Sequence, residues 1–295
     1  MPRLATTYGL DFALKYLTQR YVQSSDEDRR EVEALAAGLK AYATWHATDS
    51  IQGCREACGG QGYLSQNRFA ALKADTDVFT TFEGDNTVLL QLVSKSLLTG
   101  FRRQFGEMGV LGLARYVATQ AATAMAELNP VVTRRTEEEH LRSREFQSAA
   151  LRWREEHLMI SLAKRIKKRL DKELDSFEAL NQVQDHAIAL AKAHVEAVVL
   201  EQFMAGIDSC DDKSLREVLD LVCDLYALSR IDADRGWFQA HGYVEAPKAK
   251  AIRKLVNILC AEMRLHAVPL VDAFGIPDEL LAAPIALNGV ASDPG

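Results

Sequence analysis

The chain has 295 residues, 48% of them apolar and 26% charged, and a net charge of −6. That balance fits a soluble globular protein with length for one large or two ordinary domains. It argues against a general nucleic-acid binder, which is usually basic. No uninterrupted apolar run reaches the roughly eighteen residues of a membrane span. The start, MPRLATTYGLDF, lacks a signal-peptide pattern, and the end, VASDPG, carries no tail address, so a cytoplasmic location is expected.

Alanine and leucine dominate, which favours helices over sheets. The first helix is expected from Arg3 to Val22. Ser24 and Glu27 have capping-box spacing, so a second helix should start there. It continues through Val32, Leu35, Leu39 and Tyr42 to Ala57, a length of about 45 Å at 1.5 Å per residue. Gly59 and Gly60 stop it, followed by Gly62. A short helix from Gln66 to Thr76 leads into TTFEGDNT, and VLLQLVSKSLL after Thr87 has strong helical character.

Another helix is expected from Gly106 to Leu128, closed by Asn129-Pro130. NPVVTRRTEEEH then forms a connector and an acidic helix start, which places a domain boundary between residues 130 and 131. Long helices should follow over 137–174, 178–208, 212–232 and 247–267. Leu158, Leu162, Ile166, Leu170 and Leu174 step by four and form an apolar stripe. KRIKKRLDKELD, interleaved with acids, fits a solvated helix face. No alternating strand pattern occurs. The expected fold is all-α, two helical bundles in series over residues 1–130 and 131–295.

The chemistry-bearing residues are few. Cys54 and Cys58 share a helix face, but no second Cys or His pair matches them, so no metal is expected and packed, reduced thiols are the simpler reading. Two elements remain. In CREACGGQGY, Gly59, Gly60 and Gly62 either end a helix generously or bring bare backbone N–H groups to phosphate oxygens. In FEGDN, Glu83 stands beside Phe82 and Gly84. A loop carboxylate held away from water gains basicity and suits proton abstraction. Alternatively, Glu83 and Asp85 merely favour the positive end of the next helix, with Asp85 or Asn86 as its N-cap.

CREACGGQGY followed by DTDVFTTFEGDNTVLLQ resembles the C-terminal helical region of the acyl-CoA oxidases. LATTYGLDFALKYL and FGIPDELLAAPIAL resemble that family's preceding helix and closing segment, so the likeness spans nearly the whole chain. Acyl-CoA dehydrogenases share the Gly-Gly-x-Gly and Glu-Gly elements. Asp85-Asn86 and the second helical domain point to the oxidase branch.

The resemblance implies that Glu83 removes the α-proton of a fatty acyl-CoA while FAD takes the β-hydride. Oxygen then reoxidises the flavin, giving trans-2-enoyl-CoA and hydrogen peroxide in fatty acid β-oxidation. It implies that the Glu83 backbone N–H helps polarise the thioester oxygen and that Gly84 leaves space beside it. Asp85 and Asn86 match positions near the flavin or its adenine end, and Gly59, Gly60 and Gly62 match a turn that meets the cofactor's pyrophosphate across a subunit boundary, which implies a dimer. Phe82 departs from the superfamily's frequent tyrosine and should alter substrate contacts. The family's flavin-contacting Arg-Gln-Phe-Gly lies upstream of this region, whereas here RRQFG, residues 102–106, follows the glutamate. The family's N-terminal helical domain and central β-domain have no counterpart, so turnover is expected to need a β-domain from elsewhere. A non-catalytic helical interaction subunit, or a dehydrogenase with another electron acceptor, are the alternatives.

Overall fold

The computed structural model describes residues 1–25, 28–103 and 133–287, and among them every regular element is a helix. The expected helix over 106–128, its Asn-Pro end, the boundary at 130/131 and most of RRQFG lie outside the described residues. The first segment holds α1 (Pro2–Gln23), α2 (Arg29–Ala57), α3 (Phe69–Val78) and α4, whose described part covers 86–103. The second holds α5 (Glu138–Arg142), α6 (Arg144–Leu170), α7 (Ser176–Asn181), α8 (Gln184–Asp208) and α9 (Lys213–Ala233). It continues with α10 (Arg235–Ala240), α11 (Ala246–Met263), α12 (Ala267–Asp272) and α13 (Pro284–Leu287).

Local side chains explain where the expected long helices break. Ser143 Oγ accepts from the Phe146 N–H, so the helix expected from 137 restarts at Arg144. Asp175 caps α7 through the N–H groups of Phe177 and Glu178, and Asp212 caps α9 through those of Ser214 and Leu215. At α2 the Ser24–Glu27 capping box is not the start: Ser25 donates to Asp28, and the helix begins at Arg29. The leucine stripe holds for Leu158, Leu162 and Ile166, which pack with Leu97, Leu98 and Leu190, but Leu170 is exposed. Nor are the thiols packed as a group: only Cys223 is buried, and Cys54 is exposed.

Helix α8 is buried on nearly all sides and forms the axis of the molecule. Gly9 lets α1 lie against it, because a Cβ there would stand 2.7 Å from Val199 Cγ1. Gly206 does the same at its far end, where a Cβ would fall 2.3 Å from the Phe12 ring. One apolar core therefore runs from Ala5 and Leu39 through Phe203, Tyr226 and Ile252 to Leu270, joining both segments.

A buried polar network locks α2 into the same body. Glu196 on α8 pairs with Arg154 on α6, which also meets Asp234. Tyr42 on α2 donates to Glu196 Oε1 at 2.7 Å and accepts from Arg230 at 3.1 Å. Burial opposes the Glu196 charge, but Arg154, Arg230 and the hydrogen bonds outweigh it and hold the carboxyl below its usual range. No described helix is long and apolar enough to cross a membrane.

Candidate active-site loop

Helix α3 runs out at Val78 into a knot of turns. The N–H groups of Phe79, Thr80, Thr81 and Phe82 bond back to carbonyls three or four residues earlier, and the Asn86 N–H closes the loop on Thr80 O at 3.0 Å. Glu83 sits at the apex with φ of 54°, and Gly84 follows at 106°. A non-glycine residue in the left-handed region is strained and stays there only if its surroundings enforce it.

Those surroundings come from one face of α2. Lys40 Nζ donates to the Gly84 carbonyl at 2.7 Å and to Asn86 Oδ1 at 2.9 Å. Asn86, only 1% exposed, donates through Nδ2 to Ala41 O at 3.2 Å and Thr44 Oγ1 at 2.9 Å. Further along α2, Thr48 donates to Asp77 Oδ1 at 3.0 Å, which Lys73 also meets, fixing the end of α3. The choice of N-cap is settled in favour of Asp85, whose Oδ1 accepts from the Thr87 N–H at 2.9 Å.

Glu83 takes no part in this scaffolding. Its carboxylate has no hydrogen-bond or ion-pair partner among the described residues, nor has its backbone N–H. The carboxylate is exposed, so the expectation that it is held from water is not met within this chain. Exposed apolar side chains flank it along the chain: Phe82 against Phe79 with ring centroids 5.0 Å apart, then Val78, Val88 and Leu92. Gly84 is exposed, and a Cβ there would stand 2.9 Å from Leu89 Cδ2. Asp85 and Asn86 thus have structural roles in this chain; a carboxamide that is buried and spoken for on both sides has little left to offer a ligand.

The glycine bend forms at the other end of α2. Gly59 has φ of 56°, and a Cβ on Gly59 or Gly60 would meet nothing within 4 Å. Gly62 differs: its Cβ would lie 2.0 Å from the Arg55 carbonyl oxygen, so the bend closes on the helix only with glycine there. Arg55 Nε donates to Gly62 O at 3.2 Å, and its guanidinium stacks 4.4 Å from the Tyr63 ring centre. Buried Asn67 donates to Gln61 O at 2.9 Å and accepts from the Ile285 N–H at 3.1 Å, which ties the bend to the C-terminal segment.

Thr44, which holds Asn86, and Ala57, where α2 ends before the bend, lie thirteen residues apart, about 20 Å along the helix. Residue spacing gave no sign of Lys40, Thr44 or Asn67, whose partners lie on other elements. Among the described residues no group of three or more metal-ligating side chains occurs.

Comparison with known proteins agrees with this architecture. The family model "Acyl-CoA oxidase, C-alpha1 domain" matches residues 1–98, and "Acyl-CoA oxidase" matches 143–288. Acyl-coenzyme A oxidase 2, peroxisomal, of Arabidopsis thaliana is 43% identical over 296 residues, covering 99% of this chain and 42% of that protein. An acyl-coenzyme A oxidase-like protein of Mus musculus is 33% identical over 96% of this chain and 45% of its own length. The crystal structure of acyl-CoA oxidase 3 from Yarrowia lipolytica superposes with a TM-score of 0.81 at 25% identity, covering 96% of this chain and 42% of that one. An acyl-CoA oxidase 1 from Caenorhabditis elegans, whose structure holds FAD, gives 0.79 at 18% identity, over 96% and 42% of the two chains. The chain spans less than half the length of the curated relatives it matches. Through both of its matched segments, the chain belongs to the acyl-CoA oxidase family.

Proposed function

We propose that the chain is the helical portion of an FAD-dependent acyl-CoA oxidase, with Glu83 as the base that takes the α-proton of a fatty acyl-CoA. The observation that carries this reading is the conformation of Glu83, strained at φ of 54° and enforced by Lys40 and Asn86, with a carboxylate no structural contact uses. Such strain also occurs at Arg68 and Glu173; at Glu83 it supports a functional role because the cross-element contacts of Lys40 and Asn86 hold the loop while leaving the carboxylate unused. The neutral helix-dipole alternative loses its force, because Asp85 already serves the helix.

A thioester α-proton is weakly acidic, so its removal needs both a base and donors at the carbonyl oxygen. Glu83 supplies the base, and its backbone N–H is available as one donor. Gly84, whose missing Cβ makes way for Leu89, lets the loop close tightly beside them. A carboxylate in water is a poor base, and the apolar rim of Phe79, Phe82 and Val88 supplies part of the dry wall that would raise its basicity once covered. A β-domain, on the rest of a longer protein or on a partner chain, is proposed to complete that cover.

The exposed backbone at Gly59 and Gly60, with no side chain over it, fits the close approach of a cofactor's phosphates. When bound there, FAD supplies the hydride acceptor for the β-carbon and the means to pass two electrons to oxygen as hydrogen peroxide. The bend, about 20 Å from the Glu83 loop along α2, is proposed to serve the cofactor of a second copy in a dimer.

The test is flavin reduction by palmitoyl-CoA in an assembly of this chain with a family β-domain. Glu83→Gln should leave FAD bound and abolish bleaching; bleaching at the unsubstituted rate removes Glu83 from the role. An assembly that binds no FAD at all favours instead a helical interaction subunit, for which the exposed Phe79, Phe82, Val88 and Leu92 form the ready surface.

A further inference from the structure

The basic run late in α6 was expected to be a solvated face. The structure makes it the wall of a groove of about 680 Å³. Lys164, Lys168 and Lys172 form one row and Arg165 and Arg169 the next, with Gln182 among the residues opposite. All five cations line the same hollow, and no carboxylate does. None of the run's three acids lines the groove: Asp171 pairs with Lys167 at 2.9 Å, and Asp175 caps α7.

Arg165 feels the charge of Asp185, but the three lysines are not neutralised internally. Among the described residues none of Lys164, Lys168 and Lys172 has a carboxylate within ion-pair distance. Arg169 is held in place, with Nε donating to Gln182 Oε1 at 3.2 Å and Nη1 to Arg165 O at 3.1 Å. Favourable placement at a helix C-terminus accounts for Lys168 and Arg169 in the last turn. It does not account for Lys164 and Arg165 a turn earlier, or Lys172 beyond the helix. Five like charges around one hollow repel each other, an arrangement that an anion would relieve. It is the more pointed in a chain of net charge −6.

We propose that this groove binds a small anion bearing two or more phosphate groups. The helical part of the row, from Lys164 to Leu170, alone rises about 9 Å, which is more than one phosphate can bridge and suits a row of them. The concave shape and the single apolar lining residue, Leu174, favour a small ligand over a lipid surface. Phe177, exposed on the neighbouring helix, makes an anionic membrane the competitor that the experiment must separate.

Inorganic tripolyphosphate is titrated calorimetrically into the full chain at low salt, with orthophosphate in parallel and phosphatidylserine vesicles in a sedimentation arm. One tripolyphosphate should bind per chain, more tightly than orthophosphate, and weaken as salt rises. Lys168→Glu should cost about tenfold in affinity and Lys250→Glu, the same charge change on the exposed face of α11 away from the groove, less than about twofold. Unchanged melting curves and the milder Lys168→Gln keep a folding defect distinguishable. No tripolyphosphate binding, equal losses from both reversals, orthophosphate binding as tightly, or vesicle binding alone would each overturn the assignment.

Discussion

Asn86→Ala separates a scaffold role from a cofactor role at the Glu83 loop. The substitution removes two neutral hydrogen bonds, to Ala41 O and Thr44 Oγ1, and one from the Lys40 ammonium. Neutral bonds contribute about 1 kcal/mol each, and a bond to a charged group about 1.5–3 kcal/mol. Lys40 is half-buried and keeps its bond to Gly84, so the lower figure applies to it. The sum is about 3.5 kcal/mol; partial replacement by water brings the expected loss to about 3 kcal/mol. Urea unfolding of the ligand-free chain reads this directly, with an unchanged slope. Native-state proton exchange should also quicken at the N–H of Asn86, which closes the loop on Thr80. A loss below about 0.5 kcal/mol would refute the scaffold argument, since residues that serve only a ligand leave the free protein's stability alone.

The two kinds of glycine in the bend should behave oppositely. Gly62→Ala forces a Cβ onto the Arg55 carbonyl and should destabilise by about 3 kcal/mol, whereas Gly60→Ala should stay within about 0.5 kcal/mol in thermal melts. Glu196→Gln leaves Arg154 and Arg230 without their shared carboxylate and should cost about 3 kcal/mol by denaturant titration. Burial, with Arg230 and Arg3 nearby, pushes the His46 pKa from 6.5 down to about 4. The unfolded state therefore takes up the proton first, and stability is lost as pH falls from 6.5 towards 4. His46→Gln should flatten that window. Asp224 works with the opposite sign: burial pushes it from 3.8 up to about 6, so its contribution is lost as pH rises through the same interval. Asp224→Asn should steepen the net dependence left by His46, measured as unfolding free energy against pH.

Helix type and most helix ends were legible in the residues, because periodicity and capping are local. The stop at Gly59 and the helix expected over 212–232, which forms over Lys213–Ala233, are examples. The restart at Ser143 was local as well, yet the expected helix over 137–174 ran straight through it. At the candidate site the sequence alone offered Glu83 and the glycine bend, and it left Asp85 and Asn86 as equivalent caps. Tertiary packing decided between them. Asn86 faces α2 and is consumed by Lys40, Ala41 and Thr44, positions 42 to 46 residues away, and only Asp85 remains to cap the helix. The groove of Lys164 to Lys172 was hidden for the same reason. A string of charges gives their order along a helix, while the side to which the acids turn, and what stands opposite, depends on how the following helix folds back. Local propensity thus determined what this chain is made of, an all-helical body with a glutamate at a polar break. The contacts between distant helices determined what that glutamate is free to do.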